Sequence, residues 1–192
     1  MARPREFDPE TVVDAALDLF WRKGYKCCSM ADVVRKSGVA RYGVYQAFKD
    51  KDQLYCATLK RYRQKLHDFF IKPFCGEEPD FHSLVAHFDR VLTQLERGEH
   101  DGCFAHQAAI ERAGVDENVN EIVSCIFDDT KKIYRTTIEN GIAKGQIRQQ
   151  PVEDLTNYIM GIQRALIAMT KQNCSLAERQ DYVRCALKLL EP

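Results

Sequence analysis

The sequence has no long apolar segment. No run approaches the roughly 20 residues of a membrane-spanning helix, and the first residues lack the apolar core of a secretory signal peptide. We therefore expect a cytoplasmic protein. The 192 residues carry 28 Lys and Arg against 28 Asp and Glu, a formal net charge of zero, and that balance taken alone argues against a nucleic-acid partner.

Metal-binding and disulfide patterns are also missing. The eight cysteines are scattered and none belongs to a Cys-x-x-Cys pair, so we expect reduced, buried thiols rather than zinc ligands or the bridges of a small secreted protein. The pairs His82/His87 and His100/His106 are five and six residues apart, which does not match the i, i+4 spacing of helical metal ligands. We expect no metal and no cofactor.

No sustained alternation of apolar and polar residues, internal repeat or low-complexity tract is present. Instead, apolar residues recur with a helical period, and Gly and Pro separate the stripes, so the sequence predicts an all-α protein. The polar segment Ala2–Asp8 precedes the first helix, and Arg3 and Arg5 within it could form a solvated tail or reach a DNA minor groove or flanking phosphates. The predicted helices, about nine, lie near residues 9–24, 29–36, 40–47, 51–72, 80–97, 103–113, 116–144, 152–172 and 175–190.

The charge is distributed unevenly along the chain. Residues 1–65 contain 14 Lys and Arg against 8 Asp and Glu, a net charge of +6, whereas residues 66–192 contain 14 against 20, a net charge of −6. A basic N-terminal third followed by an acidic body is typical of a DNA-binding domain joined to a sensing domain.

Residues 29–54 have the layout of a helix-turn-helix. Ser29 can cap a helix whose apolar stripe is Met30, Val33 and Val34, and Gly38 suits the left-handed conformation after its end. In the second helix, Val44, Ala47 and Phe48 are candidates for the inward face.

The outward face of that second helix carries Arg41, Tyr42, Tyr45 and Gln46. Such side chains are better suited to contacting base edges and phosphates than to keeping the protein soluble. Asp50 can cap the next helix. Lys51 follows in its first turn, where a cation opposes the helix dipole and is therefore better explained by a phosphate partner.

These residues resemble the DNA-binding domain of TetR-family transcriptional repressors. The resemblance covers about 65 residues, and it rests on the opening helix PETVVDAALDLFWRKGY, Ser29, Gly38-Val39, Val44-Tyr45 with Phe48, and Lys51-Asp52 with Leu54. It implies that Ser29, Tyr45 and Lys51 contact phosphates and that Arg41, Tyr42 and Gly43 face base edges. The sequence departs from the family at Ala40 and Gly43, where the family usually has Ser or Thr, and at bulky Tyr42.

The resemblance also implies the organisation and the activity. We expect a DNA-binding domain at residues 1–50 and a helical ligand-sensing and dimerisation domain at residues 51–192. The protein would be a one-component regulator, most simply a repressor. It would leave double-stranded operator DNA of palindromic sequence when a small-molecule inducer or an electrophile acts on the C-terminal domain.

The last two predicted helices each carry an apolar stripe. Either the stripes fill the core of one chain, or they form the four-helix bundle through which TetR-like regulators dimerise. The small residues Gly161, Ala165 and Ala168 favour a close approach of helices. The predicted homodimer interface comprises Leu155, Tyr158, Ile162, Ala165, Leu166, Met169, Tyr182, Val183, Ala186, Leu187 and Leu190.

A candidate sensor follows the Gly-containing segment at residues 97–102. Cys103 would lie in the first turn of a helix, where the positive dipole end stabilises a thiolate, and His106 is one turn away. A Gly-Cys step here resembles TetR-family members that sense electrophiles or oxidants through the cysteine. The alternative is a small residue packed at a helix start.

Three other interpretations are kept open. A reversible ligand could occupy a pocket lined by Phe88, Leu92, Phe104, Phe127, Tyr134 and Met160. Cys103 with His106 could be a nucleophile and a base, although neither an oxyanion hole nor an orienting acid is evident, and we expect no enzyme. A helical adaptor without DNA affinity would not need the outward set on the second helix.

Overall fold

The computed structural model describes residues 8–72, 78–98 and 102–192. These residues form helices joined by short turns, and no strand occurs among them. The helices are α1 (Pro9–Lys23), α2 (Met30–Ser37), α3 (Arg41–Ala47), α4 (Lys51–Leu66), α5 (Phe81–Glu96), α6 (Phe104–Ala108), α7 (Glu117–Ala143), α8 (Val152–Lys171) and α9 (Leu176–Lys188). The predicted all-α fold class is confirmed.

The helix ends follow the capping residues. Asp8 accepts a hydrogen bond from the Glu10 backbone N–H at 3.0 Å, and Ser175 and Glu178 form a reciprocal capping box at the start of α9. Such caps satisfy backbone donors that a helix start leaves unpaired. They explain why the predicted helix boundaries lie within a few residues of the observed ones.

Two predicted helices are not purely α-helical. The predicted helix 51–72 is α-helical only to Leu66 and continues as a π-helical turn, His67–Ile71, in which the Lys72 N–H donates to the His67 carbonyl. The predicted helix 103–113 likewise divides into α6 and a π-helical turn, Ala109–Ala113. A hydrogen bond to the fifth preceding residue inserts an extra residue into the turn, and apolar periodicity alone does not reveal it.

The chain forms two compact units that are both discontinuous in sequence. The first unit comprises residues 1–65 with 104–126, and the second comprises residues 66–103 with 127–192. The sequence placed a functional boundary after residue 50. In the structure, α4 and the segment 104–126 are grouped with the helix-turn-helix.

In the first unit, aromatic side chains join α6 to α1 and α4. The ring of Phe104 is fully buried, with its centroid 5.6 Å from that of Tyr55, 5.7 Å from Tyr62 and 6.1 Å from Trp21. Edge-to-face pairs of this kind add to the stabilisation from burial. Phe104 therefore belongs to the core of the first unit, whereas Phe88, Tyr134 and Met160 of the predicted ligand pocket belong to the core of the second.

The core of the second unit is formed by α5, α7, α8 and α9. Its buried residues are Leu84, Phe88, Leu92, Tyr134, Ile138, Ile147, Leu155, Ile159, Met160, Ile162, Leu166, Val183, Ala186, Leu187 and Leu190. The hydroxyl of Tyr158 donates to the Ala186 carbonyl at 3.1 Å and ties α8 to α9.

This core contains much of the predicted dimer interface. Seven of the eleven predicted residues are buried against helices of their own chain and offer little surface to a second one: Leu155, Ile162, Leu166, Val183, Ala186, Leu187 and Leu190. Tyr158 is exposed, and Ala165, Met169 and Tyr182 are half-buried. The stripe on each helix was recognised, but most of it faces inward because α8 and α9 also close the core of the second unit.

Across the part of the chain that the structure describes, no helix is long and apolar enough to cross a membrane.

Candidate nucleic-acid interface

Ser29 and Asp32 fix the start of α2. The Asp32 N–H donates to Ser29 Oγ at 3.1 Å, the Ser29 N–H donates to Asp32 Oδ2 at 2.9 Å, and the Ser29 hydroxyl donates to the same carboxylate at 2.6 Å. The predicted cap is therefore present as a full capping box. Both donors of Ser29 are used within it, so a phosphate contact would require the hydroxyl proton to turn away from Asp32.

The turn between α2 and α3 depends on one glycine. Gly38 has φ 68° and ψ 3°, the left-handed conformation, and its N–H donates to the Val34 carbonyl at 3.1 Å. Val33 and Val44 are fully buried on either side of the turn. They hold α3 against the other two helices, so that its opposite face is left in solvent.

That opposite face carries the predicted recognition side chains. Tyr42 is 79% exposed and Tyr45 is 39% exposed, while Arg41 and Gln46 are also exposed. The guanidinium carbon of Arg41 lies 5.4 Å from the centroid of the Tyr45 ring. At about 100° per residue, these four side chains span roughly 140° of the helix surface. They form one continuous surface, which we call the recognition face.

Gly43 differs from its neighbours because it is buried beside Val44. A residue without a side chain cannot project beyond a helical turn whose flanking residues are large. The structure thus does not present Gly43 to a base edge, and we leave it out of the recognition face. Ala40 makes no side-chain cap, because its methyl group cannot accept a hydrogen bond.

The start of α4 lies beside the end of α1. Asp50 Oδ1 accepts from the Gln53 N–H at 2.8 Å, which confirms the predicted cap. The ammonium nitrogen of Lys51 lies 4.1 Å from the centroid of the Tyr25 ring, a distance suited to a cation–π interaction. Sequence reasoning did not anticipate Tyr25, because nothing local marks an aromatic residue that meets a lysine 26 positions later.

The cations of the first unit fall into two groups. Lys36 pairs with Asp18, and Arg61 pairs with Asp14 at 3.0 Å, so their charges are largely neutralised by the protein. By contrast, Arg41, Lys49 and Lys51 form no ion pair with any residue that the structure describes. Unneutralised cations beside an exposed recognition helix create the positive potential that a phosphate backbone requires. Arg3 and Arg5 lie outside the described residues.

None of the seven cysteines within the described ranges forms a disulfide. Cys28 is buried and donates to the Leu19 carbonyl at 3.2 Å, and burial raises its pKa. Cys27 and Cys185 are exposed, contrary to the expectation that the thiols are buried. Cys27 lies in the turn after α1, four residues beyond Lys23 and two residues before Ser29.

Cys103 precedes α6 instead of lying in its first turn. It is half-buried and follows Gly102, whose φ is 98° and whose Cα approaches α8 so closely that a Cβ there would lie 3.1 Å from Ile167 Cγ2. His106 is half-buried within α6. Cys103 belongs to the second unit and His106 to the first.

The second unit also contains a buried polar group that the sequence did not indicate. The Tyr134 hydroxyl is 2.8 Å from His87 Nε2 and donates to Gln163 Oε1 at 3.2 Å. His87 is 3% exposed. Burial, with a smaller contribution from the charge of Arg90, lowers its pKa to about 3. His87 is thus neutral at physiological pH.

The described residues contain no group of three or more His, Cys, Asp and Glu side chains placed to hold a metal ion. His100 lies outside the ranges that the structure covers.

The helices α1, α2 and α3, with the recognition face exposed on α3 and unneutralised cations around it, define a helix-turn-helix DNA-binding protein. Comparison with known families agrees with this class. Residues 12–58 match the model of bacterial regulatory proteins of the TetR family, and residues 81–185 match the Tetracyclin repressor-like C-terminal domain. The chain belongs to the TetR family, whose members are DNA-binding transcriptional regulators and not enzymes.

Three similar proteins illustrate the relationship. The HTH-type transcriptional repressor ComR of Escherichia coli strain K12 is 31% identical over 106 residues, 53% of this chain, and the match spans only half of ComR. A TetR-family regulator of known structure from Agrobacterium tumefaciens superimposes with a TM-score of 0.86 at 19% identity, covering 95% of this chain and 97% of that one.

A third similar structure is a complex with DNA. A cysteine-substituted variant of the TetR-family regulator CifR, bound to a 26-base-pair double-stranded operator DNA, superimposes with a TM-score of 0.84 at 21% identity. It covers 98% of this chain and all of that one. At such identities these two structures establish the shared fold alone.

Proposed function

We propose that this protein is a homodimeric one-component repressor that binds a palindromic DNA operator and is released when a small molecule or an electrophile acts on its C-terminal domain. The observation that carries the proposal is the recognition face: Arg41, Tyr42 and Tyr45 are exposed on α3, and Lys51 stands nearby without an ion-pair partner among the described residues. The repressor ComR supports the direction of regulation. Residues 1–50 would serve as the DNA-binding domain and residues 51–192 as the sensing and dimerisation domain.

The roles on DNA follow from side-chain reach. Tyr42, the most exposed of the recognition residues, would meet base edges, with Arg41 donating to guanine or to phosphate. Tyr45 and Lys51 would contact phosphates, as would Ser29 if its hydroxyl turns from Asp32. The two DNA-binding domains of a dimer would bind half-sites about one helical turn apart, roughly 34–36 Å, which is why the operator would be palindromic.

The dimer would use the solvent side of α8 and α9. Dimers are typical of the family. Tyr158, Gly161, Ala165 and Ala168 share one side of α8, and a Cβ built on Gly161 would meet nothing within 4 Å. Tyr182 is half-buried on α9, and Leu189 beyond the helix end is 59% exposed. Small residues along α8 would let the equivalent helix of a partner approach closely, and Leu189 would be shielded from water.

Release would be a shift between two forms of the dimer. A reversible inducer would lie among the aromatic and apolar residues of the second unit, where Tyr134, His87 and Gln163 supply polar atoms. Alternatively, an electrophile would modify Cys103. Either event needs only to favour a form whose recognition helices no longer match the groove spacing. An operator-bound repressor with reduced thiols would act in the cytoplasm.

The test is DNA binding by purified protein, measured by fluorescence anisotropy with the DNA upstream of its own gene and with duplexes selected from random sequence. We expect Tyr45→Ala to weaken binding roughly tenfold or more on every duplex alike. Phe69→Ala is the matched control, because Phe69 is a 44% exposed aromatic of the second unit. Equal affinities for the two variants would overturn the proposed interface and favour the adaptor.

A further inference from the structure

Arg112, far outside the helix-turn-helix, contacts the start of α4. Its Nη2 lies 3.1 Å from Asp52 Oδ1 and 3.0 Å from Asp116 Oδ2. Its guanidinium carbon is 4.3 Å from the centroid of the Tyr25 ring. Arg112 is thus paired with two carboxylates and also stacked on an aromatic ring, and 20% of its side chain is exposed.

Tyr25 is shared by two cations. Lys51 Nζ lies 4.1 Å from its ring centroid, and its hydroxyl donates a hydrogen bond to Asp52. Burial and that hydrogen bond raise the pKa of Tyr25 to about 12, so the hydroxyl keeps its proton and stays a donor at neutral pH. The ring holds the ammonium group of Lys51 without neutralising its charge.

Glu111 attaches the same segment to the end of α1. Its Oε2 accepts from the Tyr25 N–H at 2.7 Å, and its Oε1 accepts from Gln107 Nε2 at 3.1 Å. Gly24, with φ 81°, leaves room for this carboxylate, because a Cβ there would lie 2.6 Å from Glu111 Oε1. The backbone of Tyr25 is therefore held by residue 111 and its side chain by residue 112.

Whether the charge of Lys51 is neutralised depends on what binds the carboxylate of Asp52. Lys51 lies between two acidic residues in sequence, Asp50 and Asp52. Asp50 accepts from the Gln53 N–H as the cap of α4, which leaves Asp52 as the adjacent carboxylate that could pair with the ammonium group of Lys51. In the structure Asp52 is already engaged by Arg112 and by the Tyr25 hydroxyl. Among the residues that the structure describes, Lys51 contacts the Tyr25 ring and forms no ion pair, so its positive charge stays available to an anion.

We propose that Arg112 is a positioning residue for DNA binding: by occupying Asp52 and stacking on Tyr25, it keeps Lys51 held and unneutralised for a phosphate contact. The inference rests on the proposed phosphate contact of Lys51. It also gives residues 104–116, which lie within the matched C-terminal family model, a part in DNA affinity.

The experiment measures operator affinity against salt concentration for single and double variants, with a labelled duplex selected from random sequence by the wild-type protein. We expect Lys51→Ala to lower the salt slope by about one. We expect Arg112→Gln to weaken binding about 2- to 30-fold, the range for residues that act without touching the ligand, with a similar fall in slope. In the Lys51→Ala background, Arg112→Gln should have little further effect.

The decisive variant is the double change Arg112→Gln with Asp52→Asn. Removing the freed carboxylate should restore most of the affinity that Arg112→Gln loses, which a general loss of folding would not allow. Arg135→Gln, at an exposed position on α7 that pairs with Glu139 at 3.4 Å, controls for the loss of one charge. Each of four outcomes would overturn the inference. Two concern Arg112→Gln itself: binding with wild-type affinity, or an effect that adds to that of Lys51→Ala. The other two are an equal loss of affinity in Arg135→Gln and no recovery of affinity with Asp52→Asn.

The two proposals fail differently. If Tyr45→Ala weakens binding while Arg112→Gln does not, the DNA-binding function stands and the role of Arg112 is refuted. If the wild-type protein selects no sequence at low salt, or Tyr45→Ala and Lys51→Ala both bind as wild type, the proposed interface is refuted and the role of Arg112 with it.

Discussion

Arg61 on α4 donates two parallel hydrogen bonds to Asp14 on α1, from Nε to Oδ1 at 3.1 Å and from Nη2 to Oδ2 at 3.0 Å. Lys65 adds a third contact to the same carboxylate at 2.8 Å. Arg61 therefore joins the first helix to the fourth, and its charge is opposed by a carboxylate within the first unit.

This pair predicts a pH-dependent contribution to stability. Chiefly the hydrogen bond from Arg61 holds the pKa of Asp14 below its ordinary value of 3.8. A depressed carboxyl pKa stabilises the folded state above pH 3.8, and that stabilisation is lost as the pH falls through the native value. Because 38% of the Asp14 side chain is exposed, we expect Asp14→Asn to cost at most about 1 kcal/mol at pH 7, measured by urea unfolding. Asp128→Asn, exposed on α7, should cost less; equal losses would argue against the pair.

His87 also predicts a loss of stability at acid pH, but over a higher pH range. Its pKa is lowered from 6.5 to about 3, so the unfolded chain takes up a proton below pH 6.5 that the folded chain does not. Stability should therefore fall between pH 6.5 and about 3, with a slope approaching 1.4 kcal/mol per pH unit. His87→Gln should reduce that slope in urea titrations. An unchanged slope would mean that other groups govern acid unfolding.

Gly161 tests the revised dimer face. Gly161→Leu adds a side chain where the protomer leaves open space, so one chain tolerates it, whereas two apposed helices would be overpacked by about 1–3 kcal/mol. Sedimentation equilibrium should show a shift from dimer to monomer with helical content retained. Lys132→Leu, at an exposed position on α7, provides the comparison. A dimer of wild-type strength in Gly161→Leu would place the interface elsewhere.

Cys103 can be tested by alkylation. In a Cys27→Ser background, which removes the exposed thiol beside Ser29, N-ethylmaleimide should release the protein from its operator. The same treatment should leave Cys103→Ser in that background bound. Release of both would indicate another cysteine, and retention of both would favour the reversible inducer.

The helix-turn-helix could be predicted from the sequence because its signals are local. These signals are the Ser29 cap, the left-handed conformation of Gly38, and one buried residue, Val44, on a helix with exposed Arg41 and Tyr45. All of them act within one or two helical turns, where propensity and periodicity decide conformation. The same local rules failed at His67–Ile71 and Ala109–Ala113, because the extra residue of a π-helical turn leaves no mark on apolar spacing. They also could not show that Gly43 is buried.

The sequence by itself determined the all-α fold class, the positions of the helices, the recognition face and the family. Only the tertiary structure decided which partner each surface of those helices meets. Asp14 meets Arg61 across 47 residues, Asp52 meets Arg112 across 60, and Leu166 and Leu187 fill their own core instead of a partner's. The physical reason is that helical periodicity is set by interactions within a few residues, whereas ion pairs, stacking and burial are set by chain segments brought together only on folding.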